Sequence, residues 1–258
     1  MKRMTVWMLC LAMVLSLGTP AAAADLTQSG SAQENVVSAT YKINEAAEGV
    51  ISVKIDWVGM SFTYSTSEAV WDPVNHVYSE TTPGQWEKST AKITVTNNSD
   101  VIVKAEIAYQ PKDGFSDTDM VFTDESPYIG SAYTSEEEGT PCSVPIAVIP
   151  NGTMPRSENG TISDIGTITI TVNALSGDSH YIDALSYISA LKDTVRSAEQ
   201  ATERGQLYFG SAGASEEIDT LIMEASGVIV DDSSSVPEKN AALNCVIEAF
   251  YGAVLIKE

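Results

Sequence analysis

The hydrophobic pattern changes period once along this chain, and that change restricts the folds open to it. From Val37 to Val172 apolar and polar residues alternate. Val37, Ala39, Tyr41 and Ile43 keep the alternation, as do Ile51, Val53, Ile55 and Trp57. It continues through Ile93 and Val95, then Val101, Val103, Ala105, Ile107 and Tyr109, then Val144, Ile146 and Val148, and ends with Ile168, Ile170 and Val172. Successive side chains of a strand point to opposite faces, so each run presents one apolar face. The runs are short, β-branched or aromatic, and bounded by turn residues. Asn97-Asn98-Ser99-Asp100 is expected to close a hairpin, because Asn tolerates positive φ, and Asn151-Gly152 and Asn159-Gly160 are further turn signals. Many short strands without helices between them predict an antiparallel β-sandwich over residues 36–173.

Beyond Leu175-Ser176-Gly177-Asp178 the spacing becomes three and four. Ile182, Leu185, Ile188, Leu191, Val195 and Ala198 form one helical stripe. Ile218, Leu221, Ile222, Ala225 and Ile229 form a second, and Ala242, Cys245, Val246, Ala249, Phe250 and Ala253 a third. Ser235 and Glu238 have capping-box spacing, with Pro237 placed where a missing N–H costs little. Ser215 before Glu216 and Glu217 suits the start of the second helix. Three amphipathic helices over 178–258 predict a small bundle.

The first residues have a different logic. Met1-Lys2-Arg3 is positive, Met4 to Gly18 is nearly all apolar, and Ala21 to Ala24 follow Pro20. A basic start, a short apolar run and a small-residue exit predict a secretory signal peptide over 1–24. The apolar run is short for a membrane span. Residues 25–35, rich in Ser, Gln and Gly, read as a flexible leader. The whole chain has 14 basic and 35 acidic residues, net −21; losing Lys2 and Arg3 would leave 12 basic residues and net −23. Such a charge repels nucleic acid and anionic membrane surfaces. At 43% hydrophobic residues the chain can still build a substantial core.

Catalytic chemistry has little to work with. After the predicted leader the histidines are His76 and His180, and the cysteines Cys142 and Cys245, far apart in sequence. That pair could be a disulfide or two thiols. Metalloprotease, nucleophile-elbow, phosphate-loop and dinucleotide fingerprints are missing. Asp113, Asp117, Asp119, Asp124 and Glu125 crowd one stretch, and Glu136 to Glu138 follow. Their order does not match a calcium loop, so a solvated acidic loop is expected, with no metal and no cofactor. The tryptophans Trp57, Trp71 and Trp86 lie within thirty residues, with Phe62, Tyr64, His76 and Tyr78 among them. Trp57 and Phe62 continue apolar faces and are expected in the core. Trp71, Tyr78 and Trp86 sit among Pro, Asn, Gly and Thr. They are the candidate ligand contacts, since aromatic faces stack on sugars and anchor protein interfaces. The sequons at Asn97, Asn151 and Asn159 suggest exposed turns.

Asp56-Trp57-Val-Gly-Met60-Ser-Phe62-Thr-Tyr64, Trp71-Asp72-Pro73, His76, Tyr78, Trp86, the Ile-Thr-Val-Thr-Asn97-Asn98-Ser99 run and Ile165-Gly166 through Val172 together resemble a β-sandwich domain. That domain occurs in signal-peptide-bearing, largely uncharacterised surface proteins of Gram-positive gut bacteria, and the Asn-Asn-Ser turn is general to Ig-like adhesive modules. The resemblance implies no catalytic residues. Ser215 to Leu221, Asp231 to Glu238 and the helix at Ala241-Ala242 are similar to FIVAR-type three-helix modules, which act as spacers or sugar-binding accessories in extracellular proteins.

The expectation is therefore a multidomain chain: an antiparallel, Ig-like β-sandwich followed by a small three-helix bundle. It would be a secreted, non-catalytic binding or adhesion module for a glycan or a surface protein. The alternatives are a structural component or spacer of an envelope assembly, and, less favoured, an enzyme. No sorting motif or apolar tail follows Leu255 to Glu258, so any retention at the cell wall would be non-covalent.

Overall fold

A computed structural model describes residues 31–44, 51–66, 69–80, 84–135, 139–155, 162–198, 207–211 and 213–256. The predicted signal peptide, Glu136 to Glu138 and Asn159 lie outside the described residues. In chain order the strands are β1 (Ser31–Asn44), β2 (Val53–Val58), β3 (Ser61–Thr66), β4 (Ala69–Asp72), β5 (Val77–Glu80), β6 (Gln85–Trp86), β7 (Lys92–Asn97), β8 (Ile102–Pro111), β9 (Thr118–Phe122), β10 (Tyr128–Ile129), β11 (Cys142–Gly152) and β12 (Ile162–Leu175). Helix α1 (Ser179–Ala198) follows, then β13 (Leu207–Phe209), α2 (Ala214–Val230), α3 (Val236–Ala253) and β14 (Val254–Ile256). The chain is thus a sheet-rich part followed by helices. β1 begins at Ser31, within the stretch expected to be leader.

Two main sheets result, one ordered β10-β8-β12-β1-β3-β6 and the other β2-β7-β11-β9. Both are mainly antiparallel. The expectation of a wholly antiparallel arrangement is corrected at β1, which pairs antiparallel with β3 but parallel with β12, from Val37 opposite Gly166 to Asn44 opposite Asn173. Period-2 alternation decides which face of a strand is apolar and leaves its direction open, because both ladder types alternate alike. In β7, β11 and β12 the alternation is realised as read: Ile93, Val95, Val144, Ile146, Ile168, Ile170 and Val172 are all buried. Phe62 is in the core, whereas Trp57, on the edge strand β2, is half-buried against it.

The Asn97 turn is a second correction. β7 and β8 belong to different sheets, so Asn97 to Asp100 carries the chain across the core instead of closing a hairpin. Asn97 is fully buried. Its Nδ2 donates to the carbonyls of Val101 and Gly130 (both 2.8 Å), and its Oδ1 accepts from the Ser99 N–H at 2.9 Å. A crossing loop leaves backbone groups inside the protein, and a buried side-chain amide satisfies them. The sequon asparagine is therefore not on an exposed turn.

The helices bury stripes close to those predicted, with local phase errors. In α1, Leu185, Ile188 and Val195 are buried but Ile182 is half-exposed. In α3 the buried stripe is Leu243, Val246, Ile247 and Phe250, and Cys245 points to solvent. Its capping box forms: the Ser235 N–H donates to Glu238 Oε2 at 2.7 Å. At α2 the predicted cap is displaced. Gly213, with φ of 95°, is the N-cap; Ser215 lies inside the first turn, and its buried hydroxyl has no hydrogen-bond partner among the described residues. The short β13–β14 ladder, which the helical period hides, ties the segment before α2 to the end of α3. Strands of both main sheets and all three helices contribute to one hydrophobic cluster. Among the described residues no helix is long and apolar enough to cross a membrane.

Candidate functional site

The three candidate aromatic contacts fall on one stretch of paired backbone. β3 and β6 pair at the edge of the larger sheet, with Tyr64 opposite Trp86. Between them in sequence lies β4–β5, a two-stranded hairpin that pairs with no other described strand, with Trp71 opposite Tyr78. The side chains of Trp71 and Tyr78 lie outside the described residues, and their register position is what the backbone establishes. The turn at Pro73 to His76 is in solvent: Val74 is 83% exposed, and His76 takes a left-handed φ of 56°. An isolated two-stranded ribbon is marginal in water unless something packs on it.

Trp86 is half-buried. Its ring meets Tyr64 edge-on, with centroids 4.9 Å apart, and its Nε1–H donates to the Gly152 carbonyl at 3.1 Å. Gly152 ends β11 with φ of 77°, and a Cβ there would stand 2.0 Å from the Asp117 carbonyl oxygen. Trp86 therefore links the edge strand β6 of the larger sheet to the end of β11 in the smaller one, and its ring is half-buried. A two-residue strand carries no period, so alternation along the sequence does not reveal that Trp86 lies on one.

The acidic stretch divides in the structure. Asp113, Asp117, Asp119 and Glu125 are exposed, but Asp124 is only 4% exposed, which corrects the expectation of a fully solvated loop. Asp124 lies where the helices meet the sheets. Tyr187 of α1 donates to its Oδ1 at 2.5 Å, Tyr251 of α3 donates to its Oδ2, and the Ser126 N–H donates to Oδ1 at 2.8 Å. Burial raises the Asp124 pKa above its ordinary value of 3.8, against the opposing effect of these donors and of Lys104. Burial and the Asp124 charge raise both tyrosine pKa values, so the phenols stay neutral. Beside this cluster, Asn240 and Asn244 of α3 donate to the carbonyls of Tyr133 (2.7 Å) and Ser131 (2.8 Å). Asn244 fits because residue 130 is glycine; a Cβ there would lie 1.6 Å from its Oδ1.

Sequence reasoning missed Tyr187, Tyr251, Asn240 and Asn244. Polar residues recurring at 240, 244 and 251 on a helix with an apolar stripe were the available sign. Among the described residues no group of three or more His, Cys, Asp or Glu could hold a metal ion. Cys142 and Cys245 are free thiols. Burial pushes the Cys142 thiol up to about 12, which leaves it a poor nucleophile at neutral pH.

No known protein family, curated protein or solved structure matches this chain.

Proposed function

We propose that this chain is an exported, non-catalytic binding module, with an Ig-like β-sandwich presenting the aromatic ribbon and a three-helix bundle bracing the sandwich. The observation that carries this reading is the β4–β5 hairpin, which pairs with no other strand among the described residues and sets Trp71 opposite Tyr78 in the stretch leading to Trp86. A ribbon of this kind gains stability when its aromatic residues pack on a ligand, and indole and phenol rings do so at low rotamer cost. The ligand class is a glycan or a surface protein, and the site of action is extracellular. The acidic charge argues against nucleic acid as the partner.

The test is a glycan array together with a pull-down from cell-wall material, using the folded protein and its Trp71→Ala, Tyr78→Ala and Trp86→Ala variants. Binding that falls about tenfold or more in Trp71→Ala or Tyr78→Ala, with the melting temperature little changed, supports the reading. Blank results for the unaltered protein on both surfaces would remove it.

A further inference from the structure

The two sides of β1 are covered unequally. On one side it pairs with β12 from Glu34, opposite Ile162, to Asn44, opposite Asn173. On the other, β3 covers only Ser31 to Val36, and its first residue, Ser61, stands opposite Val36. From Val37 to Asn44 this second side pairs with no strand among the described residues. Open N–H and C=O groups on a strand edge recruit another strand unless the edge is short, charged or blocked. The outer edges of the two main sheets are protected in this way. β6 and β10 have two residues each. β2 carries Lys54 and Asp56, paired at 2.8 Å, and on β9 the Asp119 carboxylate accepts from the neighbouring Met120 N–H at 2.8 Å. The run Val37-Ser38-Ala39-Thr40-Tyr41-Lys42-Ile43-Asn44 has no proline, no glycine and a single charge, which is positive in a chain of net −21.

We propose that this edge is where two copies of the chain associate, their β1 strands pairing antiparallel about a twofold axis so that the two larger sheets become one. Residues opposite each other in an antiparallel pair share a face. The β12 register sets Ala39, Tyr41 and Ile43 beside the buried Ile168, Ile170 and Val172, and Ser38, Thr40 and Lys42 beside the half-exposed Thr167, Thr169 and Thr171. Odd positions must therefore meet odd ones, and two registers then use all but one residue of the edge. One sets Tyr41 opposite Tyr41 and brings the two Lys42 residues to diagonal positions, about 7–8 Å apart. The other sets Thr40 opposite Thr40, Ala39 opposite Tyr41, Ser38 opposite Lys42 and Val37 opposite Ile43. It keeps the lysines roughly 14 Å apart, beyond the screening length at physiological salt. This second register matches apolar with apolar and polar with polar, opposes no like charges, and gives each Lys42 an acidic molecule to approach. It is self-complementary and closes at two copies. The ladder stops where β3 begins in each copy, so the contact is small and the association weak. This pairing does not depend on what the β4–β5 ribbon binds.

Sedimentation velocity of the folded protein from about 1 to 500 µM tests this, and a monomer–dimer equilibrium is expected. Thr40→Asp, which sets two carboxylates together on the axis, is expected to weaken the dimer about tenfold or more. Ser38→Asp, opposite Lys42, is expected to leave it intact or tighten it. Both positions lie next to threonines of β12, so neither substitution opposes a charge within its own chain. A monomer at every concentration, or a dimer that Thr40→Asp leaves unchanged or tightens, would overturn the proposal. Equal weakening by both substitutions would also count against it, because the register would then be wrong. If Thr40→Asp does not fold, Thr40→Cys in a Cys245→Ser background, which removes the exposed thiol of α3, decides. Mild oxidation is expected to link two copies covalently, and a chain that stays single would end the twofold pairing.

Discussion

Asn97, Gly152 and Trp86 each connect parts of the chain far apart in sequence, and each does so with a different chemical group. The Asn97 amide satisfies carbonyls at 101 and 130 in a site with no access to water. Asn97→Ala is expected to destabilise the fold by about 3 kcal/mol, because several buried backbone groups lose their partner at once. Urea unfolding checks this, and a loss within about 0.5 kcal/mol, the range of ordinary surface changes, would mean that water replaces the amide. Gly152→Ala is expected to cost about 2 kcal/mol or more, since the added Cβ meets the Asp117 carbonyl and the backbone is left-handed. Trp86→Ala is expected to cost about 2 kcal/mol, less than the ~3–5 of a fully buried aromatic, because part of its ring already faces water. A full core-sized loss would move Trp86 from the candidate ligand contacts to the core.

At the scale of elements, the helical part shows how polar groups set the order of packing. Lys192 of α1 is almost wholly buried, and its ammonium contacts the Asp219 carboxylate of α2, with Asp193 3.5 Å away. Removing one partner costs most when the charge left behind is buried: without the lysine Asp219, about half exposed, is hydrated by solvent, whereas without Asp219 the buried Lys192 ammonium keeps only Asp193 beside it. Lys192→Met is therefore expected to change stability by no more than about 1 kcal/mol, while Asp219→Ala should lose about 2 kcal/mol or more, measured by thermal unfolding of both. Equal losses would show that packing of the lysine stem, not charge pairing, dominates. The capping box at Ser235 and Glu238 was legible because it needs residue types at a fixed spacing within one turn. The start of α2 was not, because a glycine N-cap is defined by its backbone conformation, and Ser215 is the more obvious residue beside it.

For the whole molecule, one hydrophobic cluster runs through both main sheets and all three helices, and the junction adds hydrogen bonds from α1 and α3 to residues 124–133. The full chain is accordingly expected to unfold in a single cooperative transition, with calorimetric and van't Hoff enthalpies in agreement. Two separated transitions would mean that the period change near residues 173–178 also divides the cooperative units. With a net charge of −21, moderate salt is expected to raise the melting temperature by screening self-repulsion, checked by melts across a sodium chloride series. The sequence by itself determined the order of strands then helices, most of the buried faces and the cap of α3, because period and capping are properties of a few neighbouring residues. Only the tertiary structure decided that β1 runs parallel to β12, that Asn97 crosses between sheets, and that Asp124 is buried under two tyrosines. Strand direction, sheet membership and the burial of a lone carboxylate depend on which distant segments arrive beside them, and no local pattern carries that information.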